Sequence, residues 1–290
     1  MAKWMDTIDA LRLRALHLQG ARSRRFETGL GQLHALEWRG RGQRPPIVLF
    51  HGLASCGADY APLMRRLRRR HRRLIAPDLP GHGRSVTPDV PLTAARLNAS
   101  MLALMDRVLD EPAIVFGNSL GGIAAIRYAQ QRPDKVLALV LASPGGAPMD
   151  PATLAAFKQT FDLTSQAAAV GFMRRVLGAP QPGMGLLARG ARVRMARPGP
   201  RSLLDNVTPE VLLRPQDVAE LQPPTLVLWG DEDEVLPRES RRFFSANLPT
   251  HARFEAMPGF GHTPYMDDLK GFDRRLHAWI ESLGPPSPAR

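Results

Sequence analysis

The chain carries two hydrophobic periods in alternation. Short apolar runs at 47–50, 73–76, 113–116, 136–141, 225–229 and 253–256 have the length of buried strands. Ahead of them, segments 26–27 and 33–38 flank Gly29-Leu30-Gly31 and predict a hairpin. Between most of these runs apolar residues return at helical spacing, over 58–69, 93–109, 119–131, 238–247 and 266–282. Strand and helix in alternation predict an α/β fold: a mostly parallel central sheet with helices on both faces.

Two regions depart from that rhythm. From 145 to 221 no strand pattern occurs, and helical stretches are broken by glycine and proline near 178–180 and 197–200. That is too long for a structureless loop and predicts a helical cap inserted between two strands. At the start, Trp4, Met5, Ile8, Leu11 and Leu16 fall on one face of a helix. With Asp6 and Asp9 present and no long apolar run, it reads as a helix packed on the domain rather than a targeting peptide. The expected organisation is a core of 1–144 and 222–290, a cap of 145–221, an N-terminal helix within 1–22 and a frayed, proline-rich tail at 284–290.

Composition narrows the class. Of 290 residues 44% are apolar, enough for a core, yet no run of 18 apolar residues predicts a transmembrane segment. The single cysteine, Cys56, excludes an intrachain disulfide framework and a multi-cysteine zinc site. A cytoplasmic location is the expectation. The formal charge is +12, from 39 basic and 27 acidic residues, and only Lys3, Lys135, Lys158 and Lys270 are lysines. Such a balance attracts polyanions in general. The run at 65–73, however, spans a helix end and a strand start without interleaved aromatics, so no specific nucleic-acid partner is expected. The arginines at 174, 175, 189, 192, 194, 197, 201 and 214 of the cap read as a solvated cationic face. Selection of an anionic substrate, or weak contact with a membrane surface, is the alternative.

Chemistry enters where the strand at 113–116 runs into Gly117-Asn118-Ser119-Leu120-Gly121-Gly122 and then a helix. Strand, sharp turn and helix is the context in which G-x-S-x-G presents a strained serine above a sheet. The helix start adds N–H groups and partial positive charge for a developing oxyanion. Phe50-His51-Gly52-Leu53 follows the strand at 47–50 and offers a second N–H, that of Leu53, beside the N–H of Leu120. His51 itself reads as a loop-shaping side chain. Asp231, Glu232, Asp233 and Glu234 follow the strand at 225–229, where a carboxylate can orient a histidine. His262 sits between Gly261 and Thr263 in a loop after the last strand, suited to take a serine proton near pH 7. Spacing alone leaves the four acids open.

Taken together, these motifs resemble the α/β-hydrolase superfamily, in its serine-nucleophile subgroup with a helical cap, over about residues 24–283. Asp78-Leu79-Pro80-Gly81-His82-Gly83-Arg84-Ser85 resembles the family's D-x-x-G-x-G-x-S segment. Gly230-x-x-Asp233-x-x-x-Pro237 resembles its acid motif, which implies Asp233 among the four. The resemblance implies a serine hydrolase of carboxylic esters or thioesters, with Ser119, Asp233 and His262 as triad, the N–H groups of Leu53 and Leu120 as oxyanion hole, a small-molecule acyl substrate, and neither metal nor organic cofactor. Activity should then fall as the His262 imidazole protonates. Haloalkane dehalogenases and cap-bearing epoxide hydrolases use aspartate where Ser119 stands. Gly117-Asn118-Ser119 also resembles the elbow of hydrolases that cleave carbon–carbon bonds in ring-opened dienol acids, although those carry Trp where this chain has Thr263. A fold member acting only as a binding protein is the third reading. Substrate identity, acyl length and oligomeric state are not encoded in any pattern here.

Overall fold

The computed structural model describes residues 2–284, so the proline-rich tail lies almost wholly outside the described residues. Eight strands form one sheet: β1 (Ala21–Thr28), β2 (Gly31–Arg39), β3 (Ile47–Phe50), β4 (Arg73–Pro77), β5 (Ala113–Ser119), β6 (Val136–Pro144), β7 (Thr225–Gly230) and β8 (Arg253–Met257). Their order is β1-β2-β4-β3-β5-β6-β7-β8. β1 pairs antiparallel with β2, and β2 with β4; every other pairing is parallel.

The helices are α1 (Ala2–Leu18), α2 (Ala61–Leu67), α3 (Ala94–Val108), α4 (Leu120–Gln131), α5 (Pro151–Gln159), α6 (Gln166–Val176), α7 (Met184–Met195), α8 (Pro198–Asp205), α9 (Pro215–Ala219), α10 (Arg238–Asn247), α11 (Pro264–Asp267) and α12 (Leu269–Ser282). Two predicted helices are divided. Segment 58–69 becomes a 3-10 turn and then α2, with Pro62 in the first turn of the second piece. Segment 266–282 is cut at Asp268, whose side chain caps α12 by accepting from the N–H groups of Lys270 and Gly271.

Strand period 2 divides the core between the two faces of the sheet. Val48 and Phe50 join one cluster with Leu97, Met101 and Leu104 of α3, Ile126 of α4 and Phe244 of α10. Ile47 and Leu49 join the other with Leu13 and Leu16 of α1, Leu63 and Met64 of α2, and Phe272 and Leu276 of α12. β1 is longer than its sequence suggests because most of its side chains face solvent, leaving Phe26 as its main apolar signal. A third apolar cluster belongs to the α5–α8 segment. It includes Phe161, Met173 and Ala188 and reaches down to Val235, with Leu53 and Ala54 packed against it. Among the described residues no helix is long and apolar enough to cross a membrane.

Candidate active site

The elbow is built by close backbone approach. A Cβ at Gly117 would lie 2.3 Å from the Gly121 carbonyl oxygen, and one at Gly121 would lie 2.1 Å from that of Phe50. Only glycine lets β3, β5 and α4 meet this tightly. Ser119 at the junction takes φ 55°, ψ −121°, a conformation that costs a non-glycine residue of order 1–3 kcal/mol. Ala54 (φ 58°) and Ser143 (φ 38°) are the other described non-glycine residues with positive φ. They follow β3 and lie within β6, the strands nearest β5, so backbone strain gathers at one rim of the sheet.

His262 lies across that rim. Its Nδ1 is 2.8 Å from Asp233 Oδ2. A carboxylate accepts only, so Nδ1 carries the proton and Nε2 is left as the acceptor. Asp233 is fully buried at its side chain, and its Oδ1 accepts from the N–H groups of Val235 (2.9 Å) and Leu236 (3.2 Å). The other three acids of the loop stay clear of His262; Asp231 pairs with Arg241. Asn118, beside Ser119, donates from Nδ2 to the carbonyl oxygens of His262 and Ala142, each at 2.9 Å. No hydrogen bond joins Ser119 Oγ to His262 Nε2 among the described residues; such contacts commonly tighten only when substrate aligns them.

The loop after β3 borders the serine: a Cβ on Gly52 would sit 3.3 Å from Ser119 Cβ. His51 shapes that loop by donating from Nδ1 to the Gly52 carbonyl and accepting from the Leu79 N–H at Nε2. The segment 78–85 is a brace behind it. Asp78 accepts from the N–H groups of Gly57 and Arg84 and pairs with His34. Burial would raise the Asp78 carboxyl, but the His34 contact and the Arg84 N–H hold it below its usual range. Cys56 is buried and its thiol is pushed far up, chiefly by desolvation, so it is no nucleophile.

The basic runs resolve into internal pairing. Arg66 meets Asp273, Arg72 meets Glu111, and Arg73 meets Glu37 and Asp110. Within the 145–221 segment, the expected solvated face is corrected at the buried Arg194 and the half-buried Arg197, while Arg189 stays exposed. Arg194 is 9% exposed and bonds Asp59 and Asp9. Arg197 bonds Asp6, and Arg189 lies over the Trp4 ring at 4.4 Å. Those partners are distant in sequence, which is why periodicity did not reveal them. A cavity of about 250 Å³ lies beside this cluster, lined by Asp6, Asp9, His34, Cys56, Asp78 and Arg197 among others. None of Ser119, Asp233 or His262 lines it.

With this geometry in place, comparison with known proteins is informative. The alpha/beta hydrolase fold family matches residues 45–269. A pimeloyl-[acyl-carrier protein] methyl ester esterase of Chromobacterium violaceum is 31% identical over 256 residues, covering 83% of this chain and 96% of the relative. Carboxylesterase CesB of Bacillus subtilis superposes with a TM-score of 0.78 at 20% identity, covering 96% of this chain and 98% of its own. A 2-hydroxy-6-oxo-6-phenylhexa-2,4-dienoate hydrolase from Rhodococcus superposes at 0.77 with 22% identity, covering 90% and 99%. Eight strands in this order and a family match across most of the core lead to one conclusion: the chain belongs to the alpha/beta hydrolase fold family.

Proposed function

We propose that the protein is a serine hydrolase acting on a carboxylic ester or thioester. The observation that carries this reading is the fixed tautomer at the strained rim. Asp233 holds the Nδ1 proton of His262, which leaves a basic Nε2 on the side where Ser119 is presented. In this reading Nε2 takes the Ser119 hydroxyl proton as Oγ bonds the acyl carbon and the carbonyl electron pair moves to oxygen. The N–H groups of Leu53 and Leu120 receive that oxyanion. None of the described hydrogen bonds engages the N–H of Leu53. Collapse expels the leaving group, which takes the proton from Nε2. Water then repeats the sequence on the acyl-enzyme with His262 as base.

The 145–221 segment acts as a cap in this reading. Phe157, Phe172 and Met173 stand in one apolar cluster with Leu53, Ala54 and Val235, which suits an acyl chain better than a polar one. The relative at 31% identity, named as a methyl ester esterase, supports the ester class. The carbon–carbon hydrolase reading ranks second because that neighbour's likeness is at the level of fold.

The test is hydrolysis of p-nitrophenyl esters of rising acyl length, together with fluorophosphonate labelling, on the wild type and Ser119→Ala. Turnover and labelling that both vanish in the variant are expected. Labelling that persists in Ser119→Ala would sink the assignment. A folded wild type that neither turns over nor labels would leave the binding-protein reading in its place.

A further inference from the structure

A second acid holds the loop that carries His262. Asp267, at the end of α11, accepts from the N–H of Gly261 at 2.8 Å through Oδ2. Through Oδ1 it accepts from the N–H of Gly178 at 2.9 Å. Gly261 is the residue before His262, and Gly178 lies in the connection from α6 to α7. Gln181, further along the same connection, donates to Oδ1 at 3.4 Å and to the Met266 carbonyl at 3.1 Å. Among the described residues no arginine or lysine pairs with Asp267, in a chain that carries 39 of them. Its partners are amide donors only, so it works as a two-sided acceptor rather than as half of an ion pair.

The contact it bridges is tight. A Cβ on Gly261 would lie 2.5 Å from the Gly178 nitrogen and from the Val176 carbonyl oxygen, and one on Gly178 would lie 2.4 Å from the Gly259 carbonyl oxygen. The His262 N–H donates to the Val176 carbonyl at 2.8 Å. The histidine backbone is therefore registered against the end of α6, and Asp267 closes that registration on its far side.

We propose that Asp267 is a positioning residue for His262, fixing the imidazole over Ser119 and making its place depend on where the α6–α7 connection sits. The geometric part stands on the bonds above; its catalytic consequence rests on the serine-hydrolase reading. Carboxylate chemistry explains the residue type. Both oxygens accept, so both N–H groups can be served at once. Asparagine has nearly the same shape but turns one of those acceptors into a donor facing a donor. Glutamate keeps both acceptors one methylene further out.

The experiment measures kcat, KM and the His262 Nδ1–H resonance in wild type, Asp267→Asn, Asp267→Glu and Gly178→Ala. A misplacement of about 1 Å can cost about 10²-fold in rate. Asp267→Asn is expected to lose kcat on that scale with KM within about threefold, and to shift the Nδ1–H resonance. Asp267→Glu should recover part of both. A staple with no bearing on His262 would lower thermal stability and leave the resonance of the folded protein unchanged, which would overturn the inference; so would wild-type kcat in Asp267→Asn. Should Asp267→Asn fail to fold, Gly178→Ala keeps Asp267 and strains the contact between the connection and the 259–261 loop; an unmoved Nδ1–H resonance there would overturn the dependence of His262 on the connection. The resonance needs no substrate. If it moves in Asp267→Asn while the wild type hydrolyses no ester, the positioning stands and the ester reading fails.

Discussion

Two of the places where the molecule buries charge end differently. At the rim of β5, β7 and β8, Asp233 is enclosed and holds His262 at one nitrogen, leaving the other without a hydrogen-bond partner among the described residues. Between α1, α7 and the loop after β3, Arg194 is almost as enclosed but is paired with carboxylates. It bonds Asp59 at 2.5 Å and Asp9 at 2.6 Å, while Arg12 supplies a second cation to Asp59. Burial pushes the Asp59 carboxyl up, but Arg194 and Arg12 outweigh it and hold the group far below its usual range. An open hydrogen-bonding valence marks a group that can move a proton; a closed set marks a clasp. Here the clasp fastens the 145–221 segment to the core through the N-terminal helix.

The largest effect should come from filling the wrong tautomer at the open pair. Asp233→Asn keeps the shape but presents an amide donor to Nδ1, which drives the imidazole proton to Nε2. A loss of about 10⁴-fold in kcat with little change in melting temperature is expected. A loss below tenfold would mean that His262 is not the base. The clasp should answer in the opposite way. Arg194→Met leaves Asp9 and most of Asp59 without a counter-charge. The cost belongs near the low end of the about 3–5 kcal/mol typical of a broken buried pair, since Asp59 keeps 25% of its side-chain surface exposed. Denaturant unfolding would read that loss. If Arg194→Met instead abolished turnover at full stability, the distinction between the two regions would collapse.

The same contrast explains what the sequence could show. Ser119, Asp233 and His262 follow β5, β7 and β8 in chain order, and each sits at a strand end that apolar runs had marked. Local spacing was therefore enough to nominate Ser119 and His262, whereas Asp233 was one of four acids until the family's acid motif singled it out. Arg194 looked like one more arginine on a basic segment because Asp9 and Asp59 lie far away in sequence and only the fold joins them. Asp267 was equally silent: its two shorter bonds come from backbone N–H groups, which no side-chain pattern records. The sheet was legible wherever strands are buried on both faces, and least legible at β1, where most side chains meet water.

Acid should reach the two regions at different pH. Three buried histidines beside or behind the core have lowered values, chiefly by desolvation: His51 in direction, His71 to about 4 and His82 to about 3. Unfolded imidazoles titrate near 6.5, so below that pH the unfolded chain binds more protons than the folded one. The sign follows: stability is full above about 6.5 and declines as pH falls toward 4, by at most about 1.4 kcal/mol per pH unit for each group. Asp59, whose carboxyl burial would raise but Arg194 and Arg12 hold low, contributes in the same direction but only as pH falls below the ordinary carboxylate range. His82→Phe should therefore flatten the slope of stability between pH 6.5 and 4.5, read from urea unfolding at several pH values. An unchanged slope would mean that His82 is protonated in the folded protein.

The smallest effect tests whether the clasp is one unit or two. Asp9 bonds only one nitrogen of Arg194 and is 21% exposed at its side chain, while Asp59 bonds both guanidinium nitrogens and Arg12 as well. Asp9→Asn keeps an acceptor for Arg194 and removes a charge, so it should cost about 1 kcal/mol, in the range of a partly exposed pair. Combined with Arg194→Met, its cost should nearly vanish, because Asp9 then has no Arg194 to lose. Additive losses would place Asp9's contribution outside the Arg194 pair. A coupling of most of the single-variant cost would show α1 and α7 held through one guanidinium. The 145–221 segment would then be fastened to the core through Asp9 and Asp59, leaving the histidine side to the connection between α6 and α7.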